Sequence, residues 1–168
     1  MKTYERKTTV KKSAISKENC TKIFESALHA KGNVFKRSVG FRREIGINGV
    51  LSEFSTLKFY NMVSATQKLV TESLGQEIVK NANEVYFVYL EDGQIPPSLK
   101  WDKTIYTMHA ISLCNGQHIK IKDQPYCLDA GDSITFNLNQ VYELPKTSGR
   151  NMWLCCLFLP AGIIKTNI

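Results

Sequence analysis

A chain of 168 residues with 43% apolar and 22% charged residues has the composition of one globular domain, long enough to bury a core without staples. No apolar run approaches the ~18 residues a membrane-spanning helix needs, and no apolar signal core follows the basic start MKTYERKTTVKK, which argues against secretion. The net charge of +7 is uneven: residues 1–60 hold 13 Lys or Arg against 5 Asp or Glu, a balance that suits nucleic acid or an acidic partner, yet no aromatics interleave the early lysines as a single-strand binder requires.

Residues 1–15 are expected to form a flexible basic tail, and residues 16–168 a single domain. SKENCTKIFESALHAKG predicts a helix over 16–31. Ser16 is its N-cap, Glu18 favours the first turn, and Gly32 stops it. Cys20, Ile23, Phe24, Ala27 and Leu28 recur at helical spacing and form one apolar face. From about residue 45 the texture becomes β-like. GINGVLSEFSTLKFYNMV carries turn glycines at Gly46 and Gly49, then Leu51, Leu57, Phe59, Tyr60, Met62 and Val63, which predict two strands or one bent strand. ATQKLVTESLGQEIVKNANE has helix-spaced Leu74 and Ile78, but Gly75 weakens a helix, and a strand extension with an irregular connection is expected.

Strands then come densely to about residue 160. EVYFVYLEDG predicts one, and the paired prolines of IPPS a loop. TIYTMHAISLCNG predicts a strand closed by the hairpin pair Asn115-Gly116. QHIKIKDQPY alternates, with Ile119 and Ile121 opposite His118, Lys120 and Lys122. Asp123-Gln124 is expected to close that hairpin, with Pro125 on an edge strand or at a strand start. Asp129-Ala130-Gly131-Asp132 predicts a second reversal. Gly131 takes positive φ there, and Asp132 closes the turn rather than acting as a catalyst. SITFNL sets Ile134, Phe136 and Leu138 on one face, and NMWLCCLFLP predicts a strand buried on both faces. Short strands with turns every 8–12 residues indicate a sandwich or barrel. Cys20, Cys114, Cys127, Cys155 and Cys156 lack the spacing of a zinc site and are expected to be reduced thiols of a cytoplasmic protein.

The run NGQHIKIKDQPYCLDAGDSITFNLNQVYEL resembles the second half of a cupin barrel. It is most similar to the N-terminal sensor domain of AraC-family transcription regulators. The pattern is carried by Ile111 to Leu113, Gly116, Ile119, Ile121, Tyr126, Leu128, Gly131-Asp132 and Ile134 to Leu138. INGVLSEFSTLKFYNMV and the ending WLCCLFLPAGII are also similar to one branch of these sensors, so the resemblance spans residues 40–164. It implies a mainly β fold, a cupin-like double-stranded β-helix or jelly roll, behind an N-terminal helix. It also implies a non-enzymatic effector-sensing and dimerisation domain. A small-molecule or fatty-acid-like effector would enter the barrel and bias a homodimer, with no membrane involved.

Metal-dependent cupins carry a His-x-His pair, a Glu and a later His. Here the later His position falls on Tyr142 and the Glu position on His109, and the paired positions fall among Asp102, Lys103, Thr104 and Ile105. No metal or other cofactor is therefore expected. His109, Tyr126, Phe136, Tyr142 and Trp153 are the expected ligand-binding residues, and no catalytic residue is assigned. Trp101 and Tyr106 are further amphipathic candidates for a pocket wall or plain core. Eight residues follow Pro160, too few for a recognition helix, so DNA is expected to be reached only through a separate domain. Two alternatives remain open. One is a metal-free cupin-like isomerase or lyase acting on a small polar substrate, with His109, Tyr142 and Glu143 as its acid–base candidates. The other is a stand-alone protein-interaction module using the basic first helix.

Overall fold

The computed structural model describes residues 7–38, 54–91, 106–138, 142–145 and 148–158. Gly46, Gly49, Leu51, the prolines of IPPS, Trp101, Asp102 to Ile105, Asn139 and Pro160 lie outside the described residues.

The elements in chain order are β1 (Thr9–Lys11), α1 (Lys17–His29), β2 (Lys36–Ser38), β3 (Phe54–Lys58), a 3-10 turn (Phe59–Asn61), α2 (Ser64–Leu74) and α3 (Gln76–Asn81). Then follow β4 (Glu84–Glu91), β5 (Thr107–Ser112), β6 (Gln117–Ile121), β7 (Gln124–Leu128), β8 (Ser133–Asn137), β9 (Tyr142–Glu143) and β10 (Arg150–Phe158). A seven-stranded sheet has the order β1-β8-β5-β10-β4-β3-β2, and a three-stranded sheet the order β7-β6-β9. Their strand pairs are antiparallel. The fold is mainly β, as the strand pattern implies, and a cupin-like jelly roll, as the resemblance implies.

Period-two alternation along the central strands divides the apolar residues between two cores. One face of the large sheet presents Leu57, Val85, Phe87, Ile111, Leu113, Met152, Leu154 and Cys156 to the helices, which contribute Cys20, Ile23 and Ala27 from α1 and Val70 and Leu74 from α2. The other face presents Val88, Leu90, Met108, Ala110, Ile134, Phe136, Trp153 and Cys155 to Ile119, Ile121 and Leu128 of the small sheet. This second core is the inside of the cup. Adjacent Cys155 and Cys156 thus belong to different cores, which explains why NMWLCCLF is apolar throughout.

Helix α1 begins at its expected cap, where Ser16 Oγ accepts from the Asn19 amide at 3.1 Å. Four local expectations need correction. Strand β3 ends at Lys58, and a 3-10 turn over Phe59–Asn61 stands where a strand is expected. The segment after Val63 forms α2 and α3, not a strand extension. Gly75, at φ 95°, separates the two helices without abolishing either, because Thr66, Val70 and Leu74 bury one α2 face. The tail reading fails for residues 9–15: β1 pairs with β8, and Ile15 is buried and donates its amide to the Gly131 carbonyl at 3.1 Å. The β6–β7 hairpin turns at Lys122-Asp123, both at positive φ, and Gln124 already belongs to β7. Pro125 lies on β7, an edge of the small sheet, where its missing donor costs little.

Candidate functional site

Inside the cup, a hollow of about 40 Å³ is lined by Tyr86, Val88, Met108, Ala110, Ile119, Phe136, Tyr142, Leu144, Trp153 and Cys155. Phe136, Tyr142 and Trp153, three of the expected ligand residues, therefore meet there, and the rings of Phe136 and Tyr142 tilt together at 5.5 Å. Tyr126 packs partly buried against the same cluster without lining the hollow. His109 is elsewhere. It shares strand parity with Ile111 and Leu113, and those residues face the helices, so its ring lies on the far side of the large sheet from the hollow. There its Nδ1 lies 2.9 Å from Thr135 Oγ1. Sequence parity does not distinguish the two cores, and for that reason it does not separate His109 from the barrel residues.

The hollow is nearly filled. A space of about 40 Å³ suits roughly a single water molecule, whereas small-molecule sites usually span about 300–1,000 Å³. Its chemistry is that of a core. Burial lifts the Tyr86 phenol well above its ordinary range and pushes the Cys155 thiol up, with the neighbouring Cys156 adding to the rise.

A larger cleft lies on the outside, where β3, β4, β5 and β10 end together. Its volume is about 530 Å³, and it is lined by Lys58, Phe59, Tyr60, Val79, Ala82, Asn83, Glu84, Val85, Tyr106 and Leu157. Strand β3 delivers Lys58 opposite Tyr86, and β4 starts at Glu84 opposite Leu157. The 3-10 turn then swings Tyr60 outward, 71% exposed. Lys58 Nζ lies 3.2 Å from Glu84 Oε1 and 6.0 Å from the centre of the Tyr60 ring. The hydrogen bond and charge of Glu84 raise the Lys58 pKa, so the ammonium stays charged at neutral pH. The Asn83 amide donates to the Leu157 carbonyl at 2.7 Å and fixes the floor. The arrangement supplies a cation, a carboxylate and phenols over an apolar base of Val79, Ala82, Val85 and Leu157. Nothing in the sequence pattern marked this site. The one local signal is Lys-Phe-Tyr at a strand end, and its partners are remote in the chain.

Glu143, an acid–base candidate of the sequence reading, lies on β9 opposite Lys120 and is partly buried. It does not line the hollow that receives Tyr142. Asp132 closes its turn, as expected: Oδ2 accepts from the Asp129 amide at 3.0 Å and lies 3.1 Å from Lys12 Nζ.

No protein-family model and no curated protein matches the chain. Solved structures do. A prolyl hydroxylase from Trichoplax adhaerens, in complex with a hypoxia-inducible-factor peptide fragment, aligns with a TM-score of 0.67 at 8% identity, covering 90% of this chain and 83% of that one. HygX from Streptomyces hygroscopicus, with nickel, 2-oxoglutarate and hygromycin B bound, aligns at 0.62 and 8% identity, covering 95% and 85%. An oxidoreductase of the 2-oxoglutarate–Fe(II) oxygenase family from Burkholderia pseudomallei aligns at 0.59 and 9% identity, covering 89% and 84%. At such identities the likeness establishes the fold.

These neighbours overturn the AraC resemblance. With it go the regulator-sensor function and the expectation that the chain is not an enzyme. The physical reason is that a Gly-Asp reversal with alternating flanks is turn chemistry that suits tight strand connections in jelly rolls generally. The motif therefore reports the fold and not the branch. No described helix is long and apolar enough to cross a membrane.

Two of these neighbours carry Fe(II) or 2-oxoglutarate in their descriptions, and the described residues of this chain do not fit those groups. Among the described residues no three His, Cys, Asp or Glu side chains gather as a metal site. All three histidines of the chain are described, and they stand on α1, β5 and β6.

Proposed function

We propose that the chain is an enzyme built on the oxygenase-type jelly roll, and that it takes a small polar substrate in the outer cleft rather than inside the cup. The likeness to solved oxygenases supports the enzyme part of this reading. The observation that carries the site is the cleft itself. Its volume lies in the range of small-molecule sites, and the Lys58–Glu84 pair stands over an apolar floor.

In this reading Lys58 attracts an anionic group of the substrate, and Tyr60 and Tyr106 flank its apolar part. Glu84 is the carboxylate available to accept a proton, which is the role of a general base. The acid–base pair thus moves from His109, Tyr142 and Glu143 to groups that share one cavity. Compartment is part of the same proposal: five free thiols suit a cytoplasmic protein.

The test is ligand-observed NMR of the purified chain against a panel of small carboxylates and phosphate esters. Bound compounds are then followed for turnover. The expected result is binding that Lys58→Ala or Tyr60→Ala weakens at least tenfold while the fold, read by circular dichroism, is kept. Binding that both variants leave unchanged would place the site elsewhere and overturn the reading.

A further inference from the structure

We infer that the space between the two sheets, where cupins of this architecture hold a metal, is closed in this chain to both Fe(II) and 2-oxoglutarate. Three independent observations carry this, and none depends on the cleft.

The first is the placement of imidazoles. A non-haem Fe(II) site of this kind uses two histidines and a carboxylate on one face of the ion. His29 ends α1 on the surface, 3.3 Å from Glu25. His118 alternates with the inward Ile119 and Ile121 and is exposed. His109 lies on the helix side of the large sheet, 2.9 Å from Thr135. The residues outside the described set contain no histidine at all. Two imidazoles therefore cannot converge inside the cup.

The second is the donor set that is present. The hollow offers two phenols, an indole N–H, a thioether and one thiol. Cys155 is the one side chain of that set able to bind a metal as an anion at ordinary pH, and a single thiolate without imidazole or carboxylate partners does not hold Fe(II). Among the described residues the buried side-chain atom left without a partner is Gln117 Oε1, on the inward parity of β6. It is a neutral acceptor, and the same amide's Nε2 donates to Ser112 Oγ at 2.8 Å and the Met152 carbonyl at 2.7 Å. An acceptor repels an anion and suits one water.

The third is space and charge. A five-carbon dicarboxylate does not fit in about 40 Å³. Among the described residues no cationic side chain lines the hollow to pair with it, and an unpaired buried carboxylate is strongly disfavoured.

The experiment uses the full chain, equilibrated anaerobically with Fe(II), or with Ni(II) as an oxygen-stable substitute, with and without 2-oxoglutarate. Metal retained after desalting is measured by mass spectrometry and the unfolding midpoint by scanning fluorimetry. The expected result is no stoichiometric metal and no midpoint shift from the metal with 2-oxoglutarate. Retention that disappears in His118→Ala or His29→Ala and ignores 2-oxoglutarate is surface binding and also supports the inference. One metal per chain, retained in both histidine variants and accompanied by a higher midpoint with 2-oxoglutarate, would overturn it. That outcome leaves the cleft reading to be decided by its own variants at Lys58 and Tyr60.

Discussion

Asp132 Oδ1 accepts the backbone amide of Ser13 at 3.0 Å, across 119 positions of sequence. The other oxygen, Oδ2, serves Asp129 and Lys12, so a single carboxylate ties the N-terminal segment to the β7–β8 turn. Burial alone would raise its pKa, but the two amides and the lysine outweigh this and hold it below the usual carboxylate range. A depressed value means stability that is fully present above the unfolded-state pKa of about 3.9 and lost as pH falls through the folded-state value. Asp132→Ala should cost about 1–3 kcal/mol at pH 7, since it leaves amides unpaired. Urea midpoints at pH 7 and pH 3 check this: the gap between wild type and variant should narrow at the lower pH.

Gly131, next to it, has φ 94° and lies against the Ile15 carbonyl, which an added Cβ would overlap. Left-handed backbone alone costs a non-glycine residue about 1–2 kcal/mol, and the overlap adds to that. Gly131→Ala should therefore lower the thermal midpoint by on the order of 5 °C. Amide exchange should locate the damage: residues 9–15 should lose protection before β5 and β10 do.

The legible part of the fold was the part with strict periodicity. Strands β4 to β8 and β10, helix α1 and the role of Asp132 all follow from alternation, a cap and turn chemistry, which are local causes. What failed was tertiary. Helix α2 exists because Val70 and Leu74 join the core on the large sheet, α3 lays Ile78 and Val79 partly buried against that core, and Gly75 falls between the two helices instead of inside one. The sequence does not separate His109 from Phe136, Tyr142 and Trp153, because strand parity reports alternation but not which of two cores a face meets. The outer cleft joins Lys58, Glu84, Tyr106 and Leu157, which no window of sequence contains together.

The two sides of the large sheet should respond differently to truncation. Trp153 is buried inside the cup and packs with Phe136, Met108 and Cys155. Trp153→Ala should cost about 3–5 kcal/mol, the usual range for a buried aromatic, and lower the thermal midpoint by on the order of 10 °C. His109→Ala removes the contact with Thr135 and should cost only about 1 kcal/mol. Equal losses in chemical denaturation would mean that the parity assignment of His109 is wrong.

Thiol reactivity offers a check on burial that needs no mutation. Burial, reinforced by nearby Cys114 and Asp132, pushes the Cys20 thiol up to about 11, and burial pushes Cys156 up to about 12. At pH 8 a thiol at 11 is ionised to roughly one part in a thousand, and only the thiolate reacts with iodoacetamide. Cys127, by contrast, is exposed on β7. Native alkylation followed by peptide mass spectrometry should therefore modify Cys127 first, with Cys20, Cys155 and Cys156 protected until denaturant is added. Early labelling of Cys155 in the native chain would show that reagent enters the cup, and the packed interior on which the closed-cup inference rests would have to be abandoned.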